Sequence, residues 1–414
     1  MKTSLFFRVP RRLAVSALAS VGLLGTSIAA TAMAPRLSTV TSPPGGQSPQ
    51  QTTTPADGAQ QKFTFTSFDV QGAGTGPGQG TLVGQIIPNG AILGQSVDAN
   101  NVFHGFLRAA DGKITTFDVP GAGAGAFQGT APAAGMNNEE VITGDYVDAN
   151  NAMHGFLRAR DGKITKFDVT GAGTGAGQGT YGADIDPAGE VSGFYIDANN
   201  VSHGFLRPPN GVIFKYDAPG AGAGAGQGTS GPTANGMNPA GAVTGYVTDA
   251  SGATHGFVRA PDGTITTFDV PGAVATAPLG MNPAGTITGL FVTVSNVSFG
   301  FVRAPNGGIT TFEAPGAGTG SGQGTAVTSI NPGDEVVGYY VDANSVNHGF
   351  VRSADGRITT FDVPGAGAGA GQGTVPEGNN PAGAVAGYYT DANNVNHGFV
   401  GIPRDDHRGP TAGD

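Results

Sequence analysis

Cysteine is missing from all 414 residues. That excludes disulfides, thiolate metal sites, cysteine nucleophiles and a lipidated cysteine anchor. Charge is sparse: only 12% of the residues are Asp, Glu, Lys or Arg, and the formal balance is −10. So acidic a chain lacks the basic footprint that phosphate backbones require, so no nucleic-acid partner is expected, and anionic membrane surfaces are disfavoured on the same ground. No window sustains a 3.6-residue apolar period, and glycine occupies 73 positions, so long helices are not available. The G-x-S-x-G elbow and the H-E-x-x-H helix are absent, as is a dense D-x-[DN]-x-[DN]-G calcium loop with its downstream Glu. No catalytic residue and no metal-ligand set is assigned from the sequence.

The beginning of the chain differs from the rest. Lys2, Arg8, Arg11 and Arg12 precede an apolar run from Leu13 to Ala29, and Ala30, Thr31 and Ala32 follow as an A-x-A pattern. This is the layout of a secretory signal peptide over residues 1–32. The Arg11-Arg12 pair leaves general secretory and twin-arginine export both open, and the chain is placed outside the cell or in a periplasm. Residues 33–61 are mostly Ser, Thr, Pro, Gln and Gly and read as a disordered linker, and 405–414 as a disordered tail. Loss of residues 1–32 removes four positive charges and leaves the mature chain more acidic still.

Between these ends one cassette recurs. An FD-type dipeptide closes a strand-like run at Phe68, Phe117, Phe167, Tyr216, Phe268, Phe312 and Phe361, at steps of 44 to 52 residues. An HGF tripeptide recurs at His104, His154, His203, His255, His348 and His397, with Phe299 in that place in the fifth full repeat. Each repeat holds four short strand-like segments separated by Gly, Pro, Asn and Asp turns, as in a propeller blade. The array is also permuted. Lys62–Val70 is a lone fourth strand, and the last repeat stops after its third. Pairing the two would close a ring and remove both exposed edges. The expected architecture is therefore all-β, a seven-bladed β-propeller over residues 62–404. An open β-solenoid is the alternative.

The HGF-x-R spacing, the following D-G turn and the FD strand end resemble the HAF-type extracellular repeat of secreted bacterial proteins, over about Phe63 to Val400. The resemblance implies an extracellular β-repeat and no particular chemistry.

Four features bear on function. The Gly-rich links, such as GAGTGPGQGT from Gly72, carry G-x-G steps that suggest a dinucleotide loop, but no helix follows to receive a pyrophosphate, so a strand-to-strand connection is expected. Each repeat histidine lies six residues after an Asp: Asp98 and His104, Asp148 and His154, Asp197 and His203, Asp249 and His255, Asp342 and His348, Asp391 and His397. These are read as structural turn pairs, since one Asp and one His per repeat are too few for a metal. Up-and-down strand order places the DAN turns, the FD carboxylates and the Gly-rich links on one face, predicted to be acidic. The other face receives the Arg and Lys residues that follow HGF. Function in repeats concentrates where copies differ, which singles out Asp184 and Asp186 on an innermost strand as candidate ligand-binding residues, and the shortened link from Gly272 as a notch.

The expected function is a non-enzymatic binding module for an extracellular ligand, glycan or protein, acting as a monomer with no membrane span in the mature chain. A propeller hydrolase or lyase with a cation in its central channel is the alternative, and an envelope or matrix structural protein a third reading. No cofactor is expected, with calcium the one that an acidic face leaves open.

Overall fold

The computed structural model describes residues 63–231 and 235–404. The expected signal peptide, linker and C-terminal tail, and Lys62 at the head of the orphan strand, lie outside the described residues. Inside them the chain is all-β, and no helix is long and apolar enough to cross a membrane.

Strands follow one another in antiparallel quartets. The first quartet is Gly80–Ile86, Ile92–Val97, Phe103–Arg108 and Ile114–Phe117. The same order recurs along the chain and ends with Gly373–Asn379, Val385–Thr390 and Asn396–Pro403. That last set is completed from the other end: Phe63–Phe68 pairs antiparallel with Asn396–Pro403, from Phe63 opposite Pro403 to Phe68 opposite Gly398. The permutation read from the sequence thus closes a ring and gives Asn396–Pro403 a partner on both sides.

The quartets are not separate sheets. A single parallel bridge joins each to the next, such as Gly80 with Asn396 and Phe103 with Gly129, so the hydrogen bonds run through one continuous 28-stranded sheet. The result is a closed all-β ring. The cause of its continuity is local. Gly80 begins its strand at φ 112 against the Asn396 carbonyl, where a Cβ would collide, so only glycine lets the two backbones meet.

The core explains the HGF-x-R motif. Each Phe of HGF, from Phe106 to Phe399, is fully buried. It meets the FD aromatic of the preceding quartet edge-on, as Phe106 does Phe68 at 6.1 Å and Phe350 does Phe312 at 6.1 Å. The Arg two residues later lies over that same ring: Arg108 over Phe68 at 4.9 Å, Arg303 over Phe268 at 4.8 Å. These arginines are therefore inter-quartet packing more than a free basic surface, and the Nε atoms of Arg108, Arg158, Arg303 and Arg352 are enclosed. At the closing quartet Gly401 stands in the Arg position. Phe65 fills the space, stacked on Phe361 at 5.4 Å, so an aromatic seal replaces the cation where the chain ends join.

Candidate functional site

Two regions collect the polar chemistry: the face carrying the DAN turns, and the central channel.

On the first, the Gly-rich links and the DAN turns hydrogen-bond one another, which confirms that they share a face. Gln79 donates to the Ala99 carbonyl at 3.2 Å and to Asn101 Oδ1 at 3.1 Å, while the Gly78 amide reaches the Asn394 carbonyl of the neighbouring quartet at 2.7 Å. Each DAN aspartate caps its own turn. Asp148 Oδ1 accepts the amides of Asn150 at 2.8 Å and Ala152 at 2.9 Å.

The histidines find a different main partner from the one expected. His104 Nδ1 sits 3.0 Å from Asp118, the FD carboxylate, and His154, His203, His255, His348 and His397 do the same with Asp168, Asp217, Asp269, Asp362 and Asp69 at 2.9–3.0 Å. The expected partners Asp98, Asp148, Asp197, Asp342 and Asp391 lie 3.6–3.9 Å from Nε2, beyond a hydrogen bond. Only His255 and Asp249, at 3.4 Å, come within reach. The reason is register. With Gly105 opposite Phe117, the next pair along, His104 and Asp118, stands directly opposite across the third and fourth strands. Each imidazole is thus held between two carboxylates on opposite sides of its ring. Four of them also stack on a tyrosine, Tyr146 on His154 at 4.9 Å among them. The hydrogen bond to Asp269, with the Asp249 carboxylate adding to it, raises the His255 pKa. Asp249 is held down to about 2, chiefly by the Ser251 hydroxyl. In the fifth quartet all three groups change together, to Thr293, Phe299 and Glu313, and Phe291 stacks on Phe299 at 5.4 Å.

The FD carboxylates and DAN aspartates make this face acidic, with Lys166 and Lys215 as its cations. Both lysines are tied down, to the carbonyls of Pro120 at 3.0 Å and Thr170 at 3.1 Å. The fifth quartet's shortened link is apolar, leaving Val274 and Val294 exposed, with the Val274 amide on the Val292 carbonyl at 2.8 Å.

The channel is formed by the first strands. In several of them a β-bulge, as between Gly182 and Asp184, shifts the register near the strand end. A cavity of about 170 Å³ opens among Asp184, Gln85, Asn235, Ser329, Asn379 and Met281. A network spans it: Gln85 Nε2 donates to Asn235 Oδ1 at 3.1 Å, the Met136 amide to Gln85 Oε1 at 2.7 Å and the Met281 amide to the Asn235 carbonyl at 2.7 Å. Asn235 belongs to the fourth quartet, so its contact with the first quartet bridges the ring's interior.

The structure separates the two singled-out aspartates. Asp184 does line the channel. Burial pushes its carboxyl up to about 7, against amides of Met237 at 2.9 Å and Ile185 at 2.8 Å that hold it down. Asp186 instead caps the next turn, accepting the Glu190 amide at 2.8 Å, while its carbonyl takes Asn137 Nδ2 at 3.2 Å. It is the counterpart of Asn331 and Asn380, which brace neighbouring turns in the same way. Two further enclosed carboxyls lie outside the pair singled out as candidate ligand-binding residues. Burial pushes Asp145 up to about 8, with Oδ2 enclosed and unpartnered, and it pushes Glu377 well above the carboxylate range. Both sit where most sibling quartets carry apolar or aromatic groups, a within-chain difference that could have flagged them. Among the described residues no group of three or more His, Asp or Glu is arranged to hold a metal ion.

No protein-family model matches the chain, and no curated protein does. Solved structures do. The BP39L lectin of Burkholderia pseudomallei is similar at 11% identity, over 77% of this chain and 95% of that one, with a TM-score of 0.50. TolB of Acinetobacter baumannii is similar at 14% identity and a TM-score of 0.43, over 70% of this chain, which spans 65% of TolB. AofleA of Arthrobotrys oligospora, at 13% identity and 0.36, is covered over 82% of each chain. The lectin likeness shows the fold alone: a ring of the β-propeller kind.

Proposed function

We propose that this chain is a secreted or cell-surface β-propeller of seven blades, one per strand quartet, and a monomeric, non-enzymatic binding module of the HAF-type repeat class. The observation that carries the binding-module reading is the filling of the channel. A channel hydrolase or lyase needs carboxylates and other ligands converging on one cation. Here the interior is bridged by Gln85 and Asn235, lined by Asn and Met side chains, and the one carboxylate among the described lining residues, Asp184, already accepts two backbone amides. The exposed polar groups are instead repeated from blade to blade on the acidic face, an arrangement suited to repeated weak contacts with an extended ligand. The apolar segment before residue 33 supports export.

The test is a ligand panel by thermal shift on the mature chain, with neutral and charged glycans, basic and acidic peptides, and calcium, run beside a panel of chromogenic ester and glycoside substrates. The expected outcome is that at least one polymeric ligand raises the melting temperature and no substrate turns over. Cation-dependent turnover abolished by Asp184→Asn would replace this reading with the hydrolase.

A further inference from the structure

We propose that Phe127 is a ligand platform that receives a guanidinium or alkylammonium group of a basic polypeptide on the acidic face. The inference rests on the binding-module reading and gives it a site and a partner chemistry.

Phe127 stands in the Gly-rich link between the first two quartets, with φ 63. The same link position elsewhere is Gly78, Gly177, Gly226, Gly322 or Gly371, at φ 75–80. Left-handed backbone is free to glycine and costly to a side chain. The phenyl group does not improve the link's own bonding, because the Phe127 amide reaches the Asn101 carbonyl at 2.7 Å just as the Gly78 amide reaches Asn394 at 2.7 Å. Nor does the position demand a side chain: a Cβ added at Gly78, Gly226, Gly322 or Gly371 meets nothing within 4 Å. The ring therefore projects outward, 53% exposed, with Phe103 beside it at 6.4 Å and 52°. Strain and exposed apolar surface are both added where glycine serves at the sibling links. Such a site is explained by something that lands on the ring.

The surroundings choose the chemistry. Phe127 lies on the face that collects the DAN and FD carboxylates, whose field attracts cations and repels anions. Lys166, which reaches the same link, is bound to the Pro120 carbonyl and lies over Tyr146, leaving the phenyl face open. Elsewhere the molecule shows what its aromatic rings accept, an arginine at 4.8–5.0 Å over each of five Phe rings and at 5.4 Å over Tyr216. A cation over Phe127 would combine the ring quadrupole with nearby carboxylates. A polypeptide fits better than a single amine, because carboxylates recur around the face and further basic side chains can pair with them.

The experiment compares the wild-type chain with Phe127→Gly and Phe127→Trp, using an oligoarginine peptide in calorimetry at low and at physiological salt, an acidic peptide and a neutral glycan as controls, and melting curves throughout. Phe127→Gly is expected to melt at the same temperature or higher and to bind oligoarginine about tenfold more weakly, while Phe127→Trp keeps the affinity. A lower melting temperature with unchanged affinity would make the ring a cover for Phe103 and sink the proposal. So would a wild-type chain that ignores oligoarginine, or a neutral glycan whose binding alone is lost in Phe127→Gly. Each of those results leaves the binding-module reading standing, since that reading fails only on turnover or on an empty ligand panel.

Discussion

Single residues decide the local electrostatics. Asp145 is the clearest case, a carboxyl pushed up to about 8 by burial, with one oxygen enclosed and unpartnered. Its unfolded value lies near about 4. The folded chain thus holds the proton more tightly, and stability declines as pH rises through the window from roughly 4 to 8. Asp145→Asn removes that penalty. The variant should be more stable by about 1–3 kcal/mol near neutral pH, a gain that fades toward pH 4 and is read from chemical denaturation across that range. His154 presents the opposite case. His154→Ala loses the 3.0 Å bond to Asp168 and the 4.9 Å stack on Tyr146, and should lower stability by about 1 kcal/mol in thermal melts. The fifth quartet, with Thr293, Phe299 and Glu313, indicates that the trio is exchanged as a set. His154→Phe should accordingly be tolerated better when Asp148→Thr accompanies it, because one of the two flanking aspartates no longer faces an apolar ring.

At the scale of elements, the HGF-x-R strand ties each quartet to its predecessor. Its Phe is edge-on to the preceding FD ring, and its Arg covers that ring. Arg352→Ala should cost about 1–2 kcal/mol through loss of the stack over Phe312 at 5.0 Å, whereas exposed Arg357→Ala should be close to neutral. Paired melting curves of the two variants check this directly. Sequence reading placed both arginines on one turn-bearing face and had no basis for separating them. The ring that Arg352 covers lies in the previous repeat, and only inter-quartet packing brings the two together. The expected Asp–His pairs came out as the longer of two contacts for a related reason. Adjacency across a turn suggested Asp148 for His154, while the directly opposite position on the fourth strand offered Asp168 closer. Within-repeat spacing shows which residues are near one another, but not which nitrogen of a ring faces which oxygen.

For the whole molecule the decisive joint is between the chain's two ends. Phe63–Phe68 supplies the fourth strand beside Asn396–Pro403, Asp69 takes His397 at 2.9 Å, and Phe65 takes the place of the missing arginine. Deleting residues 63–69 should lower the melting temperature by more than about 10 °C and shift gel-filtration elution toward aggregates, because a full edge strand and its aromatic seal are exposed at once. Monomeric elution with an unchanged melt would mean that the ring does not depend on this closure.

The repeat period, the turn residues at fixed offsets and the orphan fourth strand determined the ring without any coordinates, because a four-stranded unit with unsatisfied faces and edges can only be completed by its neighbours and by its own far end. The same alternation assigned the acidic face, since strand direction fixes which turns emerge together. Tertiary structure alone decided the rest. It sent the histidines to the FD carboxylates, laid the arginines on the preceding rings, turned Asp186 into a turn cap while leaving Asp184 at the channel, and enclosed Asp145 and Glu377. These outcomes depend on which side chains of different repeats meet across a packed interface, and the order of residues within one repeat does not contain that information.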